Sequence, residues 1–580
     1  MLKLFRYLKN YKKESIIGPL FKLIEACFEL AVPLVMKNMI DVGIKNADSG
    51  YIYKMGLVLI VLGALGLTCA LTAQYFAAKA SLGFATALRR DLFHHINTLS
   101  YAEVDRIGNH TLVTRMTSDV NTVQTGVNML LRLFLRSPFI VIGSVIMAFT
   151  ITVKITLIFL VMTVILAFVI YKIMAVTTPR FKDIQKQVDK TNLLTSETLT
   201  GARVIRAFSR QENEMADFAK EAEDLKRRQI IAGRISALMN PLTYVIVNIA
   251  IIAILWQGGD LVYTGWISQG ELIALVNYMN QILLALLAMT LLVTSITRMQ
   301  ASAVRINDVF DIKTSITDGS QTEIKTEKNA PAVEFRNCVF SYHADDDPEL
   351  EGISFSVKRG ETIGLIGGTG SGKSTLVNLI PRFYDVNSGE VLVDGVNVRK
   401  YPLQQLRKRI GIVPQRAVLF KGTIRENMKW RDENASDEEI MNALEIAQAK
   451  DFVMLKPDAL DTVINQEGKN LSGGQRQRLT IARALIGSPE MLILDDSASA
   501  LDLATDAALR KALAEKTQGM TVFIVSQRVS SIRHADKIVV LDDGRIAGIG
   551  THSELIRSCE VYHEICQSQL SEEEAAQYEK

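Results

Sequence analysis

Six long apolar runs occupy the front of this chain, at roughly 15–41, 54–85, 127–150, 152–176, 238–265 and 270–296. About 20 such residues are enough for a helix to cross a bilayer. In hydrocarbon, every backbone polar group must find its partner inside the span, so helices are the form expected here. Two polar stretches interrupt the runs, at 88–123 and 177–234. Both keep an apolar helical rhythm within a charged background, which predicts helices that leave the bilayer rather than loops. Their Lys and Arg, with those of the opening MLKLFRYLKNYKK, place these extensions and both termini in the cytoplasm. The same opening segment is basic and amphipathic and lacks a small-residue cleavage site, so it is read as retained rather than as a leader. The location expected is the cell membrane (the inner, cytoplasmic one), crossed several times.

Charged and amide side chains inside such runs are candidates for a transport path, because intramembrane ionisable groups face a cavity or a partner. The candidates are Glu25, Glu29, Asn277 and Gln281. Glu25 and Glu29 share a helix face with Lys22, so local pairing is the plain alternative for one of them. Asn248, Asn277, Asn280 and Gln281 also suit helix-to-helix hydrogen bonding. Arg132 and Arg136 stand at the start of the third run, where they either snorkel or line a pore. Membrane lipid is an obligatory partner, and a hydrophobic or amphipathic substrate fits these walls. None of the residues identifies that substrate.

After about residue 312 the chain changes character. The domain division expected is a transmembrane domain at 1–312 with long cytoplasmic extensions, a polar linker at 313–330 and a soluble α/β domain at 331–580. The net charge of +3 is too small to argue for nucleic acid. The five cysteines lack metal-ligand spacing and are expected to be free thiols. Alternating and apolar runs, VEFRNCVFSY and ISFSVKRGETIGLIG, read as strands and lead into GGTGSGKST, Gly367 to Thr375. This has the G-x-x-x-x-G-K-S form of a phosphate-binding loop between a strand and a helix. Gly367, Gly368, Thr369, Gly370, Ser371 and Gly372 bring backbone N–H groups around phosphates. Lys373 adds charge, Ser374 offers a hydroxyl to magnesium, and Thr375 continues the helix start. The cofactors implied are ATP and Mg2+.

Further elements narrow the class. Tyr342 follows a strand upstream, where an aromatic either stacks on a base or fills the core. Gln415 either reaches the metal and the attacking water or caps a loop. LILDD, Leu492 to Asp496, is a buried strand that delivers Asp495 to a metal. In NLSGGQRQRLTIARAL, a serine and two glycines open a helix and make an anion site. A second anion site beside a complete phosphate loop suggests service to a nucleotide held by another copy.

Taken together, GGTGSGKST, LSGGQRQR and LILDD resemble the ATP-binding cassette of ABC transporters. The apolar front half, with ETLTGARVIRAFSRQENE in its second cytoplasmic extension, is similar to bacterial multidrug half-transporters of the exporter branch. The resemblance covers essentially the whole chain. It implies a six-helix membrane bundle fused to an α/β P-loop ATPase, and a second, homologous half-transporter as partner. It also implies that Leu471, Ser472, Gly473, Gly474 and Gln475 act on the nucleotide of the partner. A connecting loop is implied at Ser499, Ala500, Leu501 and Asp502, and coupling segments near Tyr101–Ile107 and Arg210–Phe218.

Two positions depart from that pattern. Asp496 stands where the family has a glutamate that activates water, and Gln527 where it has a histidine. A general base must lie within hydrogen-bond reach of its water. Aspartate withdraws the carboxylate by roughly 1.5 Å, one C–C bond, and a misplacement of about 1 Å costs on the order of 100-fold. Glutamine still donates to a phosphate but carries no charge. The expectation is one subunit of a heterodimeric exporter of drugs, lipids or peptides, with a weakened ATP site on its own loop and an intact LSGGQ for the partner. The alternatives are a homodimeric exporter with slow hydrolysis, and a nonhydrolytic ATP-gated channel or sensor.

Overall fold

The computed structural model describes residues 2–319, 330–342 and 347–569. Of the linker expected at 313–330, residues 320–329 lie outside the described residues. The chain forms two compact units, Met1–Asn97 with Asn109–Ile312, and Thr98–Gly108 with Lys313–Lys580.

Among the described residues, five helices are long and apolar enough to cross a membrane: Ser49–Thr98, Asn109–Ile151, Val153–Thr200, Gln211–Tyr263 and Gln269–Asp311. The sequence led us to expect six. The remaining long helix, Lys12–Asn38, holds residues 15–38 of the run at 15–41, whose end enters the π-helical turn Met39–Ile44, and Lys22, Glu25 and Glu29 lower its apolarity. At 1.5 Å per residue the 50-residue helix Ser49–Thr98 spans about 75 Å, against roughly 30 Å of hydrocarbon. Much of it therefore runs beyond the bilayer, as the polar stretch at 88–123 predicts.

Small residues and ion pairs hold these helices together. Gly18 faces Ala73 and Ala77, where an added Cβ would sit 3.4 Å from the Ala77 backbone nitrogen. Close backbone approach of this kind is how helices pack where apolar lipid gives no drive to associate. In the polar extensions, Gln187 and Lys190 donate to the carboxylate of Glu221 at 2.6 and 2.7 Å, joining Val153–Thr200 to Gln211–Ala237. The π-helical turn Arg115–Asp119 turns Asp119 inward, where Arg115 donates at 2.9 Å and Arg305 at 3.1 Å. The segment expected at Arg210–Phe218 is the start of Gln211–Ala237, and Val204, Phe208, Met215 and Phe218 around it are exposed.

The second unit is built on strands β1 (Val333–Phe340), β2 (Leu350–Val357), β3 (Thr362–Gly367), β4 (Ser388–Val393), β5 (Val396–Asn397), β6 (Ile410–Val413), β7 (Gly422–Thr423), β8 (Val463–Ile464), β9 (Met491–Asp495), β10 (Thr521–Val525), β11 (Lys537–Asp542) and β12 (Arg545–Gly550). The central sheet runs β12-β11-β3-β10-β9-β6, parallel except for β12. An antiparallel sheet β2-β1-β4-β5 accompanies it, and β7 pairs with β8. Both faces of the central sheet are covered, so its strands read as continuous Ile, Val and Leu rather than as an alternation with polar residues. The period of two nevertheless sorts them. Leu492, Leu494, Val522 and Ile524 enter one core, and Ile493, Phe523 and Val525 the other.

Candidate nucleotide site

Strand order brings the chemistry together. β10 lies between β3 and β9, with Val525 in register with Leu365 on one side and Asp495 on the other. The phosphate loop, the Asp495 carboxylate and the segment Ser526–Val529 thus leave the sheet side by side at the carboxyl ends of its strands, where open α/β sheets bind ligands.

Within the loop, Gly370 and Gly372 have φ of +84° and +88°, a region that residues with a Cβ rarely enter. Lys373, Ser374 and Thr375 begin the helix Lys373–Leu379. Lys373 is buried, and its ammonium donates to the carbonyls of Gly367 and Gly368 and, at 3.2 Å, to Ser371 Oγ. Burial pushes its pKa down, opposed by the nearby Asp496 and Asp495 carboxylates. Gly368 and Thr369 lie exposed on the outside of the loop.

Ser374 Oγ donates to Asp495 Oδ1 at 2.9 Å, across a sequence distance of 121 residues. Burial raises the Asp495 pKa, and the neighbouring Asp496 adds to the rise, against the Ser374 hydrogen bond and the Lys373 charge. Burial likewise raises Asp496, and the Gln415 side chain opposes it by a hydrogen bond. The expected group of Lys373, Ser374, Gln415, Asp495 and Asp496 is therefore assembled in space. Ser374 Oγ and Asp495 Oδ1, two oxygen donors at hydrogen-bond distance, suit a hard cation such as magnesium. Asp496 itself takes φ of +43°, a conformation that aspartate tolerates better than most residues.

Tyr342 is half-exposed beside this loop, its hydroxyl 3.0 Å from Thr375 Oγ1. Its ring is held edge-on by Phe340 and Tyr384, at centroid distances of 5.0 and 5.2 Å. The side chain of Gln527 is exposed.

Three residues that sequence reasoning passed over support these groups. Gln569 grips the segment after β10 with both ends of its amide: Nε2 donates to the Gln527 carbonyl at 2.6 Å, and Oε1 accepts from Val529 N–H at 2.9 Å. Arg528 donates to the carbonyls of Ser499 and Leu501 at 3.4 and 3.5 Å, tying that segment to the connecting loop. Tyr384 donates to Asp105 at 2.8 Å. No motif marks any of the three, and the bonds of Gln569 and Tyr384 join residues far apart in sequence.

Ser472 caps the helix Gly473–Leu485, accepting from Gln475 N–H at 3.2 Å while its own N–H donates to Gln475 Oε1 at 3.1 Å. Leu471 is buried and anchors this end. A Cβ at Gly474 would come within 3.1 Å of the Ala500 carbonyl, whereas one at Gly473 would meet nothing within 4 Å. In the connecting loop, Ser499 Oγ donates to the Asp496 carbonyl at 2.9 Å, and Asp502 caps the helix Leu503–Lys516.

The intramembrane candidates separate. Lys22 donates to Glu25 at 2.6 Å, the local pairing that their spacing allows. Arg136 reaches both Glu29 oxygens, at 2.7 and 2.9 Å, and Gln281 Nε2 donates to the Glu29 carbonyl at 2.9 Å. Asn277 does not join them: half-buried, it donates to the Ile273 carbonyl of its own helix.

Comparison with known proteins accounts for both units. Residues 15–286 match the family described as ABC transporter transmembrane region, and residues 350–499 that described as ABC transporter. The chain is 36% identical over 575 residues to the ABC transporter ATP-binding protein YfiB of Bacillus subtilis, covering 99% of each. It is 29% identical over 577 residues to the ATP-dependent lipid A-core flippase of Haemophilus ducreyi, covering 98% of each. A bacterial Atm1-family ABC exporter solved with ATP bound shares the fold, at a TM-score of 0.81 and 24% identity over 97% of this chain and 100% of that one. The chain belongs to the ABC transporter family, with a transmembrane region and an ATP-binding cassette on one polypeptide.

Proposed function

We propose that this chain is one subunit of a heterodimeric ATP-driven exporter in the cytoplasmic membrane. Its own phosphate loop holds ATP and turns it over poorly, and its LSGGQ completes the hydrolytic site of a second half-transporter. One observation carries this reading: Asp496 and Gln527 both depart from the family pattern in a single site, while Ser472 to Gln475 keep it.

The residues divide the work. Backbone N–H groups of Gly368 to Gly372 and the Lys373 ammonium hold phosphates. Ser374, Asp495 and Gln415 supply oxygen donors for Mg2+, which, when bound, offsets phosphate charge. Asp496 is the acceptor next to the expected water position, set back by its short side chain. Gln527 retains a donor toward a γ-phosphate without a histidine's charge. Tyr342 offers a ring face to the base. Phosphoryl transfer depends on positioning and charge stabilisation, so such a site retains its ligand better than it cleaves it.

In the membrane unit, six crossings with both termini in the cytoplasm require Lys12–Asn38 to span, its charges answered by Lys22–Glu25 and Glu29–Arg136. The exposed apolar tip at Val204, Phe208, Met215 and Phe218 suits docking on the partner's cassette. The polar group Glu29, Arg136 and Gln281 suits a substrate with a polar head and apolar body, and the Haemophilus ducreyi relative is an ATP-dependent lipid A-core flippase.

The test is nucleotide trapping in the co-expressed pair during turnover. ATP is expected to persist at the site of Lys373 and Asp495, with ADP at the other. Equal ADP at both sites points instead to a homodimer-like enzyme with two slow sites.

A further inference from the structure

We infer that Tyr384 is a positioning residue that links the base side of the ATP site to the coupling segment Tyr101–Ile107. This rests on the proposed reading of Tyr342 as the residue that stacks on the base.

The path runs within one compact unit, because Thr98–Gly108 belongs to the same unit as the cassette. The seven-residue helix Tyr101–Ile107 is fixed at its start by Ser100 and Glu103, which cap it reciprocally. Glu103 is buried and accepts from Ser315 N–H at 3.2 Å. On its other side the segment meets the end of the phosphate-loop helix region. The Tyr101 ring lies 4.5 Å from Phe383, and Asp105 accepts from the Tyr384 hydroxyl at 2.8 Å. The Tyr384 ring then stands edge-on to Tyr342, at 5.2 Å and 89°. Tyr342 is joined to the phosphate-loop helix through Thr375 Oγ1 at 3.0 Å.

Edge-to-face aromatic contacts are directional and stabilise beyond the area they bury. A base stacked on Tyr342 therefore fixes the ring against which Tyr384 sits. Fixing Tyr384 fixes the hydroxyl that holds Asp105. Coupling of this kind is reciprocal: whatever base engagement contributes to the coupling segment, the segment contributes to ATP affinity.

The experiment is a double-mutant cycle in the purified full-length chain, with Tyr384→Phe, Tyr342→Ala and the pair together. ATP affinity is measured by calorimetry, and amide exchange over 101–107 with and without saturating MgATP. Tyr384→Phe keeps the ring and removes only the bond to Asp105. It is expected to weaken ATP several-fold and to reduce the ATP-dependent protection of 101–107. In the Tyr342→Ala background it should do neither. Asp105→Ala, a second variant outside the nucleotide site that removes the acceptor, should behave like Tyr384→Phe. If Tyr342→Ala weakens ATP and the effects simply add, the link through Tyr384 is overturned while base stacking stands. If Tyr342→Ala leaves ATP affinity unchanged, base stacking itself fails and the link falls with it.

Discussion

Asp496 leaves β9 with a left-handed backbone, accepts from Gln415, and shares its surroundings with Asp495 and Lys373. If, as proposed, this carboxylate falls short of the water, Asp496→Asn is expected to lower ATPase of the co-expressed pair only a few-fold. Gly473→Asp places a carboxylate where the partner's phosphate is expected, in a poorly screened setting, and should nearly abolish turnover. Steady-state ATPase assays compare the two, and equal damage would place hydrolysis at this chain's own loop. Lys373 gives a second residue-scale test. Burial lowers its pKa below the usual 10.5, so the proton is lost at lower pH than from a free lysine. Phosphate binding requires that proton, so ATP affinity should begin to fall as pH rises through a value below 10.5, and Lys373→Arg should move the fall to higher pH. Calorimetric titration across the alkaline range reads both.

The element scale shows why some of the site was legible in sequence and some was not. Gly367 to Thr375 could be read because strand, loop and helix are contiguous, and the glycine spacing records a local backbone shape. Ser472 and Gln475 could be read because a capping box is local as well. Asp495 and Ser374 needed only the strand order that such motifs imply. Gln569 had no such signal, since its partners arrive from a segment 42 residues upstream and its contacts are to backbone. The membrane unit gave the opposite difficulty. Hydropathy found the run at 15–41, but of the charges within it only Lys22 and Glu25 pair locally, whereas Glu29 and Lys37 are answered by the distant Arg136 and Glu271. For Gln569→Ala, each lost bond is worth about 1 kcal/mol, so exchange of the Val529 amide should rise roughly five-fold. Gln569→Glu keeps the acceptor for Val529 and should leave that amide protected, as exchange mass spectrometry or NMR would show.

For the whole molecule, the division of labour proposed here makes activity a property of the pair. Expressed alone, this chain should bind MgATP and show little turnover, and vigorous hydrolysis by a verified homodimer would sink the weakened-site reading. Two glycines then answer to different judges. Gly370 has φ of +84°, and its constraint is the chain's own backbone. Gly473 begins a helix with nothing of its own chain within 4 Å of an added Cβ. In a library scored for folding alone, Gly370→Ala should lose about 1 kcal/mol, while Gly473→Ala should pass unnoticed or gain slightly from helix propensity. Scored for export by the pair, the ranking should invert at Gly473. A lineage that lost its partner would let this glycine drift while Gly370 stayed put, so the pattern of variation would record a companion that the polypeptide does not contain.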